Sequence, residues 1–471
     1  MSAATPPVAV PPVPVAVPPV IVLGGGIAGL LAAHELGRHG VAAEVYEAGP
    51  RIAGMAASHT DADGFSYDVG AHFVTNRFMA ALGMDVPCRT LPRYGEVVHL
   101  SPKKHPVYPI GLLGVPRFVR SAVWEKVRRP RRDLLLASDR FRHDYGRKLA
   151  DEVALPLLEA WSGLPADQLS ASVIDKIPTG LAQTIWLRIA QRITKRAVMI
   201  GYCKEEPSAT GVFHVYPEGG VAAICQHVAN GLAQPVHVGQ AAEKIYTDGE
   251  RVTGVRIAGR DIETNTVIST LPINRLPQLI EGSDRLDRFR RFQFRGLVLV
   301  NLKLTGRELL PDVIVWTPHG FPYFRVTEAP LAMPWIAPDD KTMILCEFGA
   351  QPGDDVWAMT DEEAVERCVS TLDPLIPDVR SRLLGASVLR QPLGYPVFAL
   401  DYEPDRAALA AEGTGIAGLY SVGRNGEFDH ILMEDTFWRL RRRIPAIARD
   451  HQRCTMTATL IKGDNDEHST I

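Results

Sequence analysis

The sequence predicts an α/β protein built on a Rossmann-like dinucleotide-binding unit, and three observations near its start carry that expectation. Val20-Ile21-Val22-Leu23 is a short apolar run of β character that leads into glycines at 24, 26 and 29. The run that follows, Ile27, Ala28, Leu30, Leu31, Ala32, Ala33 and Leu36, is apolar and compatible with a helix. A second strand, 43–46, then ends on the acid Glu47, 18 residues beyond Gly29. Strand, glycine turn, helix, strand and acid come in the order that a dinucleotide fold requires.

Each part has a physical job. Gly24 lets the chain turn tightly, Gly26 lets backbone approach a pyrophosphate, and Gly29 lets the helix pack close on the sheet. The helix N-terminus offers N–H groups and partial positive charge to phosphates. Glu47, followed by Ala48, lies near the spacing at which an acid accepts hydrogen bonds from a ribose. The chain also holds its own control. Gly413-Thr414-Gly415-Ile416-Ala417-Gly418 fits the same formal pattern, but an acidic helix-like stretch precedes it and an apparent strand follows. That context is inverted, so it reads as a loop.

The 471 residues suffice for two or three domains, or one large domain with insertions. Hydrophobic content of 46% and charged content of 22% describe an ordinary soluble globular chain. A net charge of −3 gives no global pull toward nucleic acid or an acidic membrane. Six scattered cysteines, with no CxxC pair, fit free thiols in a reducing compartment and offer no metal site. Residues 2–33 carry no charge, but seven prolines between 6 and 19 exclude a helix over the first half. With no basic n-region, a secretory signal is not expected. Residues 1–19 read as a Pro-rich, polyproline-like leader on a cytoplasmic protein without an integral membrane segment.

Beyond Glu47 come Arg51-Ile52-Ala53-Gly54-Met55 and then Phe65-Ser66-Tyr67-Asp68-Val69-Gly70-Ala71-His72. Here the sequence resembles the large FAD-dependent flavoprotein group of amine oxidases, protoporphyrinogen oxidases, carotenoid desaturases and UDP-galactopyranose mutases. That group continues from the ribose acid into Arg-x-Gly-Gly and then a Phe-x-x-Asp-x-Gly-x-His-like segment beside the flavin. Arg51 and Gly54 match, while Ala53 replaces the first glycine of the pair. Gly70-Ala71-His72 is most similar to the mutases and to bacterial protoporphyrinogen-oxidase-like proteins. His72 would touch substrate or flavin, or serve as a buried structural histidine.

Residues 103–205 read as mostly helical and follow the helical insertion of the protoporphyrinogen-oxidase-like proteins. Between Arg117 and Arg132 seven basic residues face one acid, Glu125. This is either a solvated helix face or a patch for peripheral contact with an anionic substrate or lipid surface. Tyr216-Pro217-Glu218-Gly219-Gly220, a helix and a β meander follow, and the resemblance puts the flavin's adenine side around Ala241 or Ala242. Strands are expected at 297–304 and 344–348, and a capping-box helix start at Thr360-Asp361-Glu362-Glu363. Phe321-Pro322-Tyr323-Phe324-Arg325 sits where the family has a Pro-Phe-x-Arg-like strand. Arg325 and Tyr323 are therefore candidate substrate contacts, since guanidinium binds carboxylates in a fork and stacks on rings; a surface arginine packed on aromatics is the alternative.

Gly423-Arg424 closes the site in the resemblance, in the Gly-Arg form of the mutase-like branch. Met433-Glu434-Asp435 opens a helix aimed at the flavin's pyrimidine edge, where reduced flavin gains negative charge. No cysteine lies near this loop, so the FAD is expected to be non-covalent.

The resemblance thus implies a Rossmann-like FAD-binding domain built from three chain segments, 20–102, 206–290 and 395–448. An α+β substrate domain would be inserted as 103–205 and 291–394, with a flexible tail at 449–471. The implied function is an FAD-dependent oxidoreductase of oxidase, dehydrogenase or desaturase type. It would oxidise a C–N or C–C bond of a small organic substrate by hydride transfer to flavin N5. The alternatives are a non-redox isomerase resembling UDP-galactopyranose mutase, and an inactive flavin-binding scaffold. No nucleic-acid partner and no metal is expected.

Overall fold

The computed structural model describes residues 18–83, 86–128, 134–176, 181–201 and 203–467. Most of the Pro-rich leader, and Arg129, Arg131 and Arg132 of the basic run, lie outside the described residues.

The chain opens with strand β1 (Val20–Leu23), helix α1 (Ile27–Arg38) and strand β2 (Ala43–Glu47). Strand β3 (Glu96–Val98) and helices α2 (Pro116–Arg128) and α3 (Leu181–Thr194) come next, and then helix α4 (Ala222–Asn230). Strands β4 (His237–Val238) and β5 (Val267–Ser269) follow. Four more strands come after them: β6 (Phe294–Thr305), β7 (Ile314–Trp316), β8 (Arg325–Thr327) and β9 (Lys341–Ala350). Helix α5 (Asp361–Val369), strands β10 (Leu383–Pro396) and β11 (Leu419–Ser421), and helix α6 (Met433–Glu467) complete the framework.

Five strands form an all-parallel sheet in the order β11-β5-β1-β2-β4. Its two faces explain the unbroken apolar run of β1. Val20 and Val22 enter one core with α1, α4 and α6, while Ile21 and Leu23 enter a second core on the opposite face. A parallel strand covered on both sides has no solvent face, so apolar residues do not alternate with polar ones. Because all five strands run the same way, the loops after β1, β2, β5 and β11 leave at one edge. That edge gathers residues from distant parts of the sequence.

A six-stranded sheet, β10-β6-β9-β8-β7-β3, stands apart. One face packs Val298, Val300, Ile344 and Cys346 against Ala364, Cys368 and Val369 of α5. The α5 start carries the expected capping box, with Thr360 and Glu363 each accepting the other's backbone N–H. The other face presents Leu297, Leu299, Phe324 and Leu345, with Trp161, Trp316 and Tyr395 beside them.

Three elements cross the boundaries expected from the sequence. β3 falls within 20–102 yet pairs with β7 in the six-stranded sheet, because Glu96–Val98 continues that sheet's edge. β10 likewise runs to Pro396, past the expected boundary at 394. Helix α6 continues to Glu467, into the stretch from 449 expected as a flexible tail. The buried His451 ring anchors this extension, its Nδ1 lying 2.9 Å from Asn265 Oδ1 and 3.0 Å from Thr266 Oγ1.

Candidate functional site

The glycine turn after β1 divides its labour. Gly24 has φ +110°, a left-handed backbone open mainly to glycine, and a β-carbon there would meet Thr270 Oγ1 at 2.0 Å. A β-carbon on Gly29 would meet the Gly24 carbonyl oxygen at 1.9 Å, so this glycine sets the distance of α1 from the sheet. Gly26, with φ −75°, has nothing nearer than Ala53 O at 3.9 Å. Sterically, then, nothing in the protein itself requires a glycine at 26. The first turn of α1, with Ile27 and Ala28, has no side-chain cap and no acid. Gly423 packs onto it; its own β-carbon would lie 2.8 Å from Ala28 Cβ.

Glu47 ends β2 beside this turn and accepts N–H groups from Gly25 at 2.7 Å and Gly49 at 2.6 Å, with Ala48 between. Each carboxylate oxygen keeps further acceptor capacity. The segment leading to Ala242 runs alongside: Gly239 N–H donates to Gly49 O at 2.8 Å and Gln240 N–H to Glu47 O at 2.9 Å. Residues 51–55 fold over the turn. Ala53 N–H donates to Gly25 O at 2.9 Å, and a β-carbon on Gly54 would lie 3.6 Å from Gly26 Cα. Ala53 has φ +87°, which accounts for a glycine at this place in the family pattern. Met55 follows in a short 3₁₀ turn, Gly54–Ala56. An open groove of about 1020 Å³ runs from Arg51, Ala53 and Gly54 to Ala222 and Ala223 of α4, and Glu47 does not line it.

A second group faces the first. Gly70 has φ +103°, and Ala71 leads to His72. Burial pushes the His72 pKa down to about 4, and the positive charges of Arg424 and Arg325 push it the same way. Its Nδ1 is 3.9 Å from Asp68 Oδ2, beyond hydrogen-bonding distance. Burial raises Asp68 to about 6, against hydrogen bonds donated by Ser58 Oγ at 2.5 Å and Tyr216 OH at 2.9 Å. His72 is therefore neutral near pH 7.

Arg424 follows β11 and donates from Nε to the Ile431 carbonyl at 2.9 Å, its guanidinium 5.9 Å from the Tyr395 ring. Burial lowers its pKa, opposed by Tyr395 and the Asp435 and Asp429 carboxylates. Arg325 begins β8 and forms a two-pronged ion pair with Glu347 of β9, Nη2 to Oε1 at 2.7 Å and Nε to Oε2. Its guanidinium lies 5.2 Å from the Trp316 ring and 5.9 Å from Phe324. Burial works against the charge, but Glu347 outweighs it and holds Arg325 firmly protonated. Trp161, Tyr395 and His430 form an aromatic cluster, with ring centroids 4.9, 5.0 and 5.3 Å apart.

Two expected contacts change. Tyr323 is 2% exposed in the core on the α5 side, edge-on to Phe348 with its hydroxyl 3.3 Å from Thr371 Oγ1. It lies on the face away from Arg325 and is no substrate contact. Glu434 sits in the first turn of α6 behind Met433, and its carboxylate accepts from Thr75 Oγ1 at 2.8 Å and Arg77 Nε at 2.6 Å. Its side chain is committed to the protein, which leaves only its backbone for a ligand.

Glu347, Trp161, Trp316, Tyr395 and His430 escaped the sequence reading. A single acid inside the apolar run Ile344–Phe348 was the available signal for Glu347, since a buried carboxylate needs a partner. Among the described residues no group of His, Cys, Asp or Glu is arranged to hold a metal.

The model of the family described as flavin containing amine oxidoreductase matches residues 27–423. A search of curated proteins finds no match. Among solved structures, a reduced UDP-galactopyranose mutase superposes with TM-score 0.72 at 17% identity, over 93% of this chain and 99% of its own. Cyclohexylamine oxidase from Brevibacterium oxydans IH-35A gives 0.69 at 14% identity, over 92% and 99%. Wild-type putrescine oxidase bound to putrescine gives 0.62 at 14% identity, over 91% and 98%. At these identities the structural likeness establishes the fold alone.

Proposed function

The chain belongs to the flavin-containing amine oxidoreductase family, and from that premise we propose that it oxidises a C–N or C–C bond of a small organic substrate. As a member of that family it is an FAD-dependent oxidoreductase. When bound, FAD supplies the hydride acceptor, its N5.

The residues present fit that cofactor. The room beside Gly26, although no protein atom requires glycine there, supports backbone approach by a pyrophosphate. Gly24, Gly26, Ile27, Ala28 and Gly29 would hold the phosphates at the α1 N-terminus, with Glu47 and Ala48 on a ribose and Ala242 toward the adenine. Arg51, Gly54, Met55, Gly70, Ala71, Gly423, Arg424, Met433 and the Glu434 backbone would line the rest. No cysteine falls between 418 and 435, which supports non-covalent binding. In this reading the FAD-binding part takes 20–95, 206–290 and about 397–448, and the substrate part takes the stretches between.

One observation carries the substrate side: the Arg325 guanidinium lies 5.2 Å from the Trp316 ring and the Arg424 guanidinium 5.9 Å from the Tyr395 ring, so both cations border the aromatic face of the six-stranded sheet. Neutral His72 can accept or donate a proton or orient a substrate group. Arg424 suits a negative charge, and Trp161 and Tyr395 supply flat apolar surface. The substrate's reacting carbon would be held still over the flavin by these groups, which is most of what the protein must contribute.

Arg424 also favours a second reading, a non-redox isomerase acting on an anionic diphosphate, like the mutase that superposes on this chain. Anaerobic mixing with candidate substrates separates the two. Bleaching of oxidised flavin by substrate alone supports the oxidoreductase. Turnover that appears only after dithionite reduction, with no bleaching, overturns it in favour of the isomerase.

A further inference from the structure

Among the described residues, eleven of the thirteen large apolar side chains left exposed lie between 107 and 193. They concentrate on two helices. On α2, Val119, Val123 and Val127 form a row at i, i+4 spacing with Trp124 beside it, the last two 76% and 56% exposed. On α3, Ile185, Ile189 and Ile193 repeat the pattern with Trp186 beside them, these last two 74% and 58% exposed.

Each helix carries an apolar row on its outward side in addition to the residues it buries. An amphipathic helix normally turns its apolar stripe to the core and its charges to water. α2 instead buries Phe118 and its single acid, Glu125, whose carboxylate meets Arg147 at 3.4 Å. α3 buries Thr184, Leu187 and Ala190 and contains no acid. Beside the apolar rows the exposed charged residues are basic, Arg120, Lys126 and Arg128 on α2 and Arg192, Lys195 and Arg196 at the end of α3, while Arg117 is paired with Glu152 at 2.7 Å. The Arg128 guanidinium lies 4.6 Å over the Trp124 ring, so cation and aromatic are presented together. The helices share a foundation. Arg188 of α3 donates to the carbonyls of Tyr108 at 3.0 Å and Tyr94 at 3.4 Å, and Tyr108 packs with Leu112, Val115 and Phe118 at the root of α2.

We infer that α2 and α3 form a docking face that lays this protein on an anionic lipid bilayer. Exposed tryptophan and branched apolar side chains insert at the boundary between headgroups and acyl chains, and basic residues without acids favour anionic headgroups. The chain as a whole carries a net charge of −3, so attraction to an anionic surface would come from the local cations of this face and not from the overall charge. A second copy meeting the same face would set like charges against each other. No described helix is long and apolar enough to cross a membrane, so the helices lie on the surface.

The test is co-sedimentation of the full-length, flavin-loaded protein with phosphatidylcholine vesicles, with and without phosphatidylglycerol. The protein binds the phosphatidylglycerol vesicles, and added salt weakens that binding. The Val123→Glu/Ile189→Glu variant loses binding at least about tenfold while keeping its flavin spectrum. Arg120→Gln/Lys126→Gln, which leaves the apolar rows intact, loses about fivefold per charge on anionic vesicles only. No binding by the folded flavoprotein, equal binding to both vesicle types, or full binding by the Val123→Glu/Ile189→Glu variant would each overturn the inference. So would a sedimenting dimer that Val123→Glu/Ile189→Glu dissociates in the absence of vesicle binding, which would make the face a contact between copies.

Discussion

Gly29 sits so close to Gly24 that a β-carbon on it would lie 1.9 Å from the Gly24 carbonyl oxygen. The contact joins the first turn of α1 to the end of β1, and every residue proposed to hold phosphate depends on that spacing. Gly29→Ala should therefore act on the fold itself, costing about 2–3 kcal/mol of stability as an overpacked backbone contact. Urea unfolding of the flavin-free protein checks this, and an unchanged midpoint would contradict the assigned packing.

Ala53 holds φ +87° where glycine would be unstrained. Ala53→Gly should stabilise the protein by about 1 kcal/mol, and Ala53→Val should destabilise it by more. Thermal melting of the two variants against the parent reads both signs at once.

Arg325 and Glu347 are tied by two hydrogen bonds, with the Glu347 residue fully buried. Arg325→Met leaves that carboxylate without its partner and should cost about 3–5 kcal/mol. Adding Glu347→Met should recover most of the loss. If Arg325 served substrate alone, the single variant would unfold like the parent.

Acid should weaken the fold through two buried histidines, opposed by one buried aspartate. His72 and His214 are both held down to about 4 by burial, while burial holds Asp68 up to about 6. Below pH 6.5 the unfolded chain takes up two protons on these histidines that the folded chain refuses until about pH 4. Asp68 works the other way, staying protonated in the folded chain up to about pH 6. The balance between pH 4 and 6 is one proton in favour of unfolding, or about 1.4 kcal/mol lost per pH unit lowered. In His214→Gln one histidine and one aspartate offset each other, so the slope from these groups should flatten between pH 6 and 5. Urea midpoints at those two pH values provide the comparison.

The β1–α1–β2 unit was legible in the sequence because its signals are local: a four-residue apolar run, glycines at 24 and 29 that the packing requires with a third at 26 between them, and an acid ending the second strand. The arrangement of His72, Arg325, Arg424, Trp161 and Tyr395 was only partly legible, because those residues come from five distant stretches. Tyr323 was misread because nearness to Arg325 in sequence does not put two side chains on one face. The polar composition beyond 449 concealed a buried contact, His451 on Asn265 and Thr266, early in the helical extension. The rows on α2 and α3 have the spacing of an ordinary core stripe, and only the fold reveals that they face outward.

The most direct test of the cofactor site is the flavin content of Gly26→Leu. A β-carbon at 26 has room in the protein, its nearest contact being 3.9 Å away, and the rest of a leucine side chain would enter the space proposed for the pyrophosphate. The parent should absorb near about 450 nm and release one FAD per chain on acid precipitation, as expected of a non-covalent flavoprotein. Gly26→Leu should fold with an unchanged far-ultraviolet spectrum and carry no flavin. A folded Gly26→Leu protein with a full complement of FAD would contradict the account.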